Sequence, residues 1–238
     1  ISRAKSFINI ARTEKINNNP NFIIEEASTP VLEGLKRAEK MESNRPLIPA
    51  LIAQIYIRRY EDGTKDKTYL SEALENINRA IRLQKPAFLS SKDSYDGTFQ
   101  KIRAYVHFLY GQHINNQDSI LSYRYAIKNI DERLSLKPDD VTSWKDKANY
   151  HFYAKELGNA YASLIRASKL APKDPSIFID MAFILVENKE YTRACKDFNR
   201  ANNLINDGLT KQGSQGAFAN DYKQQQKRMK PFTDALGC

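Results

Sequence analysis

His107, His113 and His151 are the only imidazoles in the 238-residue chain. An imidazole serves as a general base or a metal ligand when a second ligand or a carboxylate shares its helix face. His107 and His113 lie six residues apart, which places them on different faces of a helix. His151 follows Ala148 by three, on a side that must pack. There is no HExxH, GxSxG, P-loop or GxGxxG pattern. The expectation is therefore a protein without enzymatic activity, metal or cofactor. The acids of "YEDGTKDKT" (Tyr60–Thr68) surround a glycine, but lack the alternating ligands and closing Glu of a calcium loop, so a polar turn is expected. Neither Cys195 nor Cys238 belongs to a CxxC or Cys/His cluster. Cys195 lies among small and apolar residues and reads as a buried free thiol, Cys238 as a free thiol of the tail outside a prenylation box.

Two other groups carry charge at useful spacing. In "WKDKAN" the Lys145 ammonium and Asn149 amide stand one helical turn apart, donors suited to a carboxylate. In "YKQQQKRMK" Lys223, Lys227, Arg228 and Lys230 cluster beside Tyr222, a basic patch suited to nucleic acid or an anionic surface. Aromatic residues are not interleaved there as a base-stacking platform requires, and a solvated capping face is the simpler reading.

The elements that must position these residues are helices. Nine glycines and nine prolines are few for the many tight turns of an all-β chain. The composition is 41% hydrophobic and 27% charged, in the ordinary globular range. A net charge of +9 favours acidic partners. No apolar stretch approaches the ~20 residues that span a bilayer, so no transmembrane segment is expected. The chain opens at Ile1 rather than Met, which implies an upstream segment; cytoplasmic and exported locations both stay open.

The helices repeat. Pro138 and Pro172 end similar stretches, "LSLKPDD" and "SKLAPKDP", and lie 34 residues apart. At that offset Trp144 meets Phe178, Ala148 meets Ala182, Ala160 meets Ala194, Leu164 meets Phe198 and Ala167 meets Ala201. Two antiparallel helices approach closely only where side chains are small, so alanines at fixed places mark the contacts. Proline stops the second helix, and Asp174 followed by Pro175 caps and starts the next. Upstream, Ala73, Ile77, Ala80 and Leu83 keep the second-helix spacing, as do Ala126, Ile130, Leu136 and Pro138, with Arg133 where alanine is usual.

This pattern resembles the tetratricopeptide repeat family: Trp144, Ala148, Ala160, Leu164, Ala167 and Pro172 fill its signature in order. Lys147 and Ala148 depart from the usual Leu and Gly, and Asn206 stands where the next Pro would be. The resemblance implies an all-α, right-handed helical-repeat solenoid of antiparallel helix pairs with a C-terminal capping helix. Residues 1–45 read as a divergent helix pair broken at "NNNPN", 46–140 as irregular repeats, 141–207 as two regular repeats, and 208–238 as a loop with a basic capping helix ended before Pro231.

The resemblance also implies a non-enzymatic scaffold or adaptor that binds a protein or peptide in its concave groove and supports assembly of a complex. The groove would be lined by Thr142, Lys145, Asn149, Phe152 and Tyr153, then by Ser176, Ile179, Phe183, Val186 and Glu187. In family members that hold the C-terminal carboxylate of chaperone peptides, Lys and Asn occupy the places of Lys145 and Asn149. Asp180 replaces the second Asn of that clamp and a third unit is missing, so no clamp is expected. The alternative is a basic repeat protein binding nucleic acid or an anionic surface. The partner's identity and the oligomeric state stay open.

Overall fold

The computed structural model describes residues 2, 4–9, 24–90, 96–114, 118–212 and 219–238. Residues 4–9 are helical; then follow α1 (Ile24–Met41), α2 (Leu47–Asp62), α3 (Lys67–Ser90), α4 (Thr98–Ile114) and α5 (Ser119–Leu136). They are succeeded by α6 (Val141–Tyr153), α7 (Leu157–Leu170), α8 (Pro175–Glu187), α9 (Tyr191–Gln212) and α10 (Ala219–Leu236). No strand occurs among the described residues, and none of their helices is long and apolar enough to cross a membrane. The chain divides into two compact units, Ile1–Pro138 and Asp139–Cys238.

In the second unit α6 pairs with α7 and α8 with α9, while α7 packs on α8 and α9 on α10. The repeated alanines Ala148, Ala182, Ala160, Ala194, Ala167 and Ala201 are all buried, and Leu164, Phe178 and Phe198 fill the space beside them. Caps repeat with the same period. The Asp140 carboxylate accepts the Ser143 amide at 3.2 Å, and Asp174 accepts the Ser176 amide at 3.0 Å, each satisfying an otherwise orphaned first-turn donor. The inner turns repeat too. Lys155 and Lys189 have φ of 63° and 61°, and the amides of Glu156 and Glu190 return to the carbonyls of His151 and Leu185 at 2.9 and 2.8 Å. This is the Schellman closure, here with lysine where glycine is usual.

The chain after Leu204 departs from the sequence expectation. The stretch read as a loop from residue 208 begins as helix, because α9 runs on to Gln212. Asn206 keeps the amide that proline would lack, so nothing stops the helix there. Gly208 serves contact rather than turning: a Cβ on it would stand 2.5 Å from the Tyr222 ring of α10. Residues 213–218 lie outside the described part. The last helix does not end before Pro231 but continues through it to Leu236. Proline loses one amide bond there, a bearable loss because Pro231 sits on the exposed side.

Cys195 and Cys238 are not free thiols: they form a disulfide, with Cα atoms 5.4 Å apart. Spacing along the chain hid this, because the bond joins residues 43 apart, from the first turns of α9 to the second residue beyond the end of α10. Gly237, at φ 69°, turns the chain after the helix so that the Cys238 amide reaches the Thr233 carbonyl at 2.9 Å.

In the first unit α1 packs on α2, α2 pairs with α3, and α4 with α5, with α3 against α4. Ala73, Ala80 and Ala126 are fully buried, as the repeat spacing requires. Arg133, which replaces an interface alanine, is buried and reaches Asp96 at 3.2 Å. Gly97, at φ 74°, lets the chain pass 2.9 Å (measured to a would-be Cβ) from the Arg133 Cα. Burial opposes ionisation of Asp96, but the Thr98 hydroxyl and amide and the Arg133 guanidinium outweigh it and bring the carboxyl to about 2. Glycine also permits a close α4–α5 contact, since a Cβ on Gly111 would stand 2.4 Å from the Tyr123 ring. "YEDGTKDKT" forms the end of α2 and a polar turn in which Asp66 accepts the Thr68 amide at 2.9 Å. His107 stacks on Tyr125 with centroids 5.3 Å apart; burial and then the Arg103 charge lower its pKa to about 4. The "NNNPN" break lies outside the described residues, between the helical residues 4–9 and α1.

Two predictions follow from this packing. Ala194→Leu forces a large side chain into the α8–α9 contact and costs about 1–3 kcal/mol in a urea melt of the full chain, whereas Lys169→Leu on the exposed side of α7 stays within about 0.5 kcal/mol. Acid destabilises the first unit in two steps. Unfolded, His107 takes its proton near 6.5; folded, only near 4. Between those values the unfolded chain holds more protons, so stability falls with pH by on the order of 3 kcal/mol. Asp96 adds a second loss between 3.8 and about 2. His107→Phe should flatten the upper step in circular dichroism melts and leave the lower one.

Candidate functional site

Positions 145, 148/149 and 152/153 of α6 fall on one helix face, as do 180, 183/184 and 187 of α8. In the second unit these two faces bound a groove of about 630 Å³, floored by Leu164 of α7 and closed by Arg228 and Phe232 of α10. Of the residues expected from sequence, Lys145, Asn149, Phe152, Tyr153, Phe183, Val186 and Glu187 line it. Ile179 does not: it is fully buried in the core, because one residue before Asp180 the helix has turned by about 100°. Thr142 lies outside the groove as well, exposed in the first turn of α6 with its hydroxyl donating to Asp140 at 2.7 Å. Ser176 is engaged by Lys145 instead of facing the groove.

Lys145 is not a merely solvated helix residue. Its ammonium donates to Ser176 Oγ at 2.5 Å and pairs with Asp174 at 3.4 Å, tying α6 to the cap of α8. On the side toward α10, Asp180 meets Arg228 at 3.2 Å. Burial raises the Asp180 pKa, against the opposing charges of Arg228 and Lys145. The Arg228 guanidinium also lies 4.7 Å from the centre of the Phe183 ring. Phe183 in turn meets Phe232 edge-on at 4.8 Å and Phe198 at 5.4 Å. At the outer rim Lys155 pairs with Glu187 at 3.6 Å.

The groove thus has aromatic walls and charges that are paired across its sides. Such a surface can bury apolar side chains of a ligand and orient it with a few polar groups. No cluster of candidate metal ligands occurs among the described residues. His151 is buried and its Nδ1–H donates to Glu156 at 2.7 Å, bracing the inner turn. The four basic residues of the C-terminal helix do not form one patch. Lys223, Lys227 and Lys230 share an exposed face, while Arg228 is turned about 100° from Lys227 and enters the groove.

No family model matches the sequence, and no curated protein matches it. Solved structures do match. MamA 41-end from Desulfovibrio magneticus RS-1 is 16% identical, with 87% of this chain and 97% of that chain covered and a TM-score of 0.58. A second MamA structure is 11% identical over 84% of this chain and 97% of its own, at a TM-score of 0.59. YrrB, described as a TPR protein with an unusual peptide-binding site, is 13% identical over 83% and 84%, at 0.53. The fold is that of the tetratricopeptide repeats.

Within a tetratricopeptide repeat the groove residues on α6 and α8 are legible from the 34-residue period. Those contributed by α10 are not, since that helix stands outside the repeat. The Arg228/Phe232 spacing of four was the available signal, and it was obscured by the surrounding lysines. Arg228→Gln removes the charge that opposes protonation of Asp180. Its carboxyl titration, followed by ¹³C NMR, should move to higher pH; an unmoved midpoint would mean that the pair does not form in solution.

Proposed function

We propose that this protein is a non-enzymatic scaffold that binds a peptide segment of a partner protein in the groove between α6, α8 and α10, and so supports assembly of a complex. The observation that carries the reading is the groove itself. Its volume of about 630 Å³ falls within the ~300–1,000 Å³ of ligand sites, and its walls are mainly aromatic and aliphatic. Helix-borne side chains hold it open, so little ordering entropy is spent on binding. The peptide-binding site named for YrrB belongs to that protein, and it shows that the fold can serve such a role. Anionic surfaces or nucleic acid are the second reading, favoured by the Lys223, Lys227 and Lys230 stripe and the net charge of +9.

Selection of 12-residue peptides from a random phage library on the whole oxidised protein tests the first reading. Peptides recovered should bind the wild type in fluorescence anisotropy and lose at least tenfold in affinity with Phe152→Ala or Asn149→Asp, with helical content retained. Lys169→Ala, exposed on α7, should change nothing. Failure to recover any binder, or binders indifferent to both groove substitutions, overturns the site. For the second reading, random single-stranded RNA should bind with a steep salt dependence that falls when the three lysines become glutamine.

A further inference from the structure

The C-terminal helix supplies one wall of the groove, yet few of its side chains hold it there. Met229 is its fully buried anchor, and Tyr222 and Leu236 are only partly buried against the same core. Phe232 is 39% exposed, and the Arg228 side chain of the Asp180 pair is 57% exposed, so that pair contributes little to holding the helix. Gln226 adds an exposed hydrogen bond to Asn206 at 3.0 Å. The one covalent tie is the Cys195–Cys238 disulfide, which fastens the chain directly after the last turn of α10 to the first turns of α9. Phe232 lies six residues before that tie and Arg228 ten, both within the last three turns.

We propose that this disulfide is a redox latch that sets whether α10 stands as the third wall of the groove. The proposal rests on the reading that the groove binds a peptide. A cross-link between residues 43 apart strongly restricts the ensemble open to the released segment. Without it, the last turns of α10 depend on Met229, a partly buried Leu236 and two half-exposed contacts, and such an end opens locally at low cost. The walls formed by α6 and α8 do not depend on the bond, because their alanine contacts and caps lie elsewhere.

The chemistry is a two-electron exchange with an external dithiol. Its thiolate attacks Sγ of Cys238, which is exposed whereas Cys195 is half-buried. The Cys195 sulfur leaves as thiolate and takes a proton, forming a mixed disulfide. The second thiol of the reductant then displaces Cys238, which is protonated in turn. The protein gains two electrons and two protons as two thiols, and the reductant becomes a cyclic disulfide. An oxidised dithiol reverses the sequence. In an oxidising compartment the latch is closed, and under a reducing poise it opens.

Hydrogen exchange on the full chain tests this, comparing the oxidised protein, the protein reduced with dithiothreitol, and the Cys195→Ser/Cys238→Ser variant. The oxidised protein should show no titratable thiol. On reduction the amides from Phe232 to Leu236 should exchange at least tenfold faster while α6 and α8 keep their protection, and the double variant should behave as the reduced form whatever the reductant. A phage-selected 12-residue peptide should bind the reduced protein at least fivefold more weakly, with no reductant effect in the variant. Two free thiols in air-exposed native protein, or unchanged α10 exchange on reduction, overturn the latch. Loss of protection in α6 and α8 together with α10 also overturns it, since the bond is then a general staple. If α10 loosens but peptide affinity is unchanged, control of the groove is overturned. If α10 loosens and no peptide binds the oxidised protein, the binding reading falls and the latch itself stands.

Discussion

The close approach of paired helices at alanine is the constraint on which the second unit depends. Ala148, Ala160, Ala167, Ala182, Ala194 and Ala201 are buried at the 34-residue period, and each removes the bulk that would hold two helix backbones apart. Phe178, Leu164 and Phe198 then have fixed spaces to fill. Because the contact positions repeat, the outward face of each first helix repeats as well, and the groove is built from that repetition. Phe152 of α6 and Phe183 of α8 pack one side on the core and line the groove with the other.

Turn chemistry carries the same period to the ends of the helices. Asp140 and Asp174 cap, and Lys155 and Lys189 close the inner turns in the left-handed region despite lacking the freedom of glycine. Such strain is held where its surroundings demand it: Glu156 is bonded to both the His151 carbonyl and the His151 ring, and Glu190 donates its amide to the Leu185 carbonyl and pairs with Arg193. The histidine that invited a catalytic reading is thus part of a turn. In the first unit the second-helix spacing of seven is kept by Ala73 and Ala80 but broken after Ala126 at Arg133, where a charge replaces a small side chain and a glycine–aspartate link is recruited to receive it.

The groove joins these repeat-derived faces to an element outside the repeat. Arg228 supplies to Asp180 the charge that a half-buried carboxylate needs, and Phe232 completes an aromatic cluster with Phe183 and Phe198. Asp180, which on sequence argued against a carboxylate clamp, has its own partner. Lys145 is likewise committed to Asp174 and Ser176. The ammonium that looked available from spacing alone is already paired within the unit, and what remains for a ligand is the Asn149 amide and a largely apolar lining.

The sequence by itself determined the helix pairs of the second unit, their contact residues, the cap at Asp174 and the helix face that carries Lys145, Asn149, Phe152, Tyr153, Phe183 and Val186, because all of these follow from local periodicity and one repeated spacing. It misplaced Ile179, Thr142 and the end of α9, where a rotation of 100° or the lack of a stopping proline changes the outcome. Only the tertiary structure decided that Cys195 meets Cys238, that Arg228 leaves the lysine stripe for Asp180, and that Gly208 receives Tyr222. Each of these joins α10 to earlier helices over 14 to 48 residues of chain. No period relates them, so they depend on how a non-repeating helix docks on the last repeat.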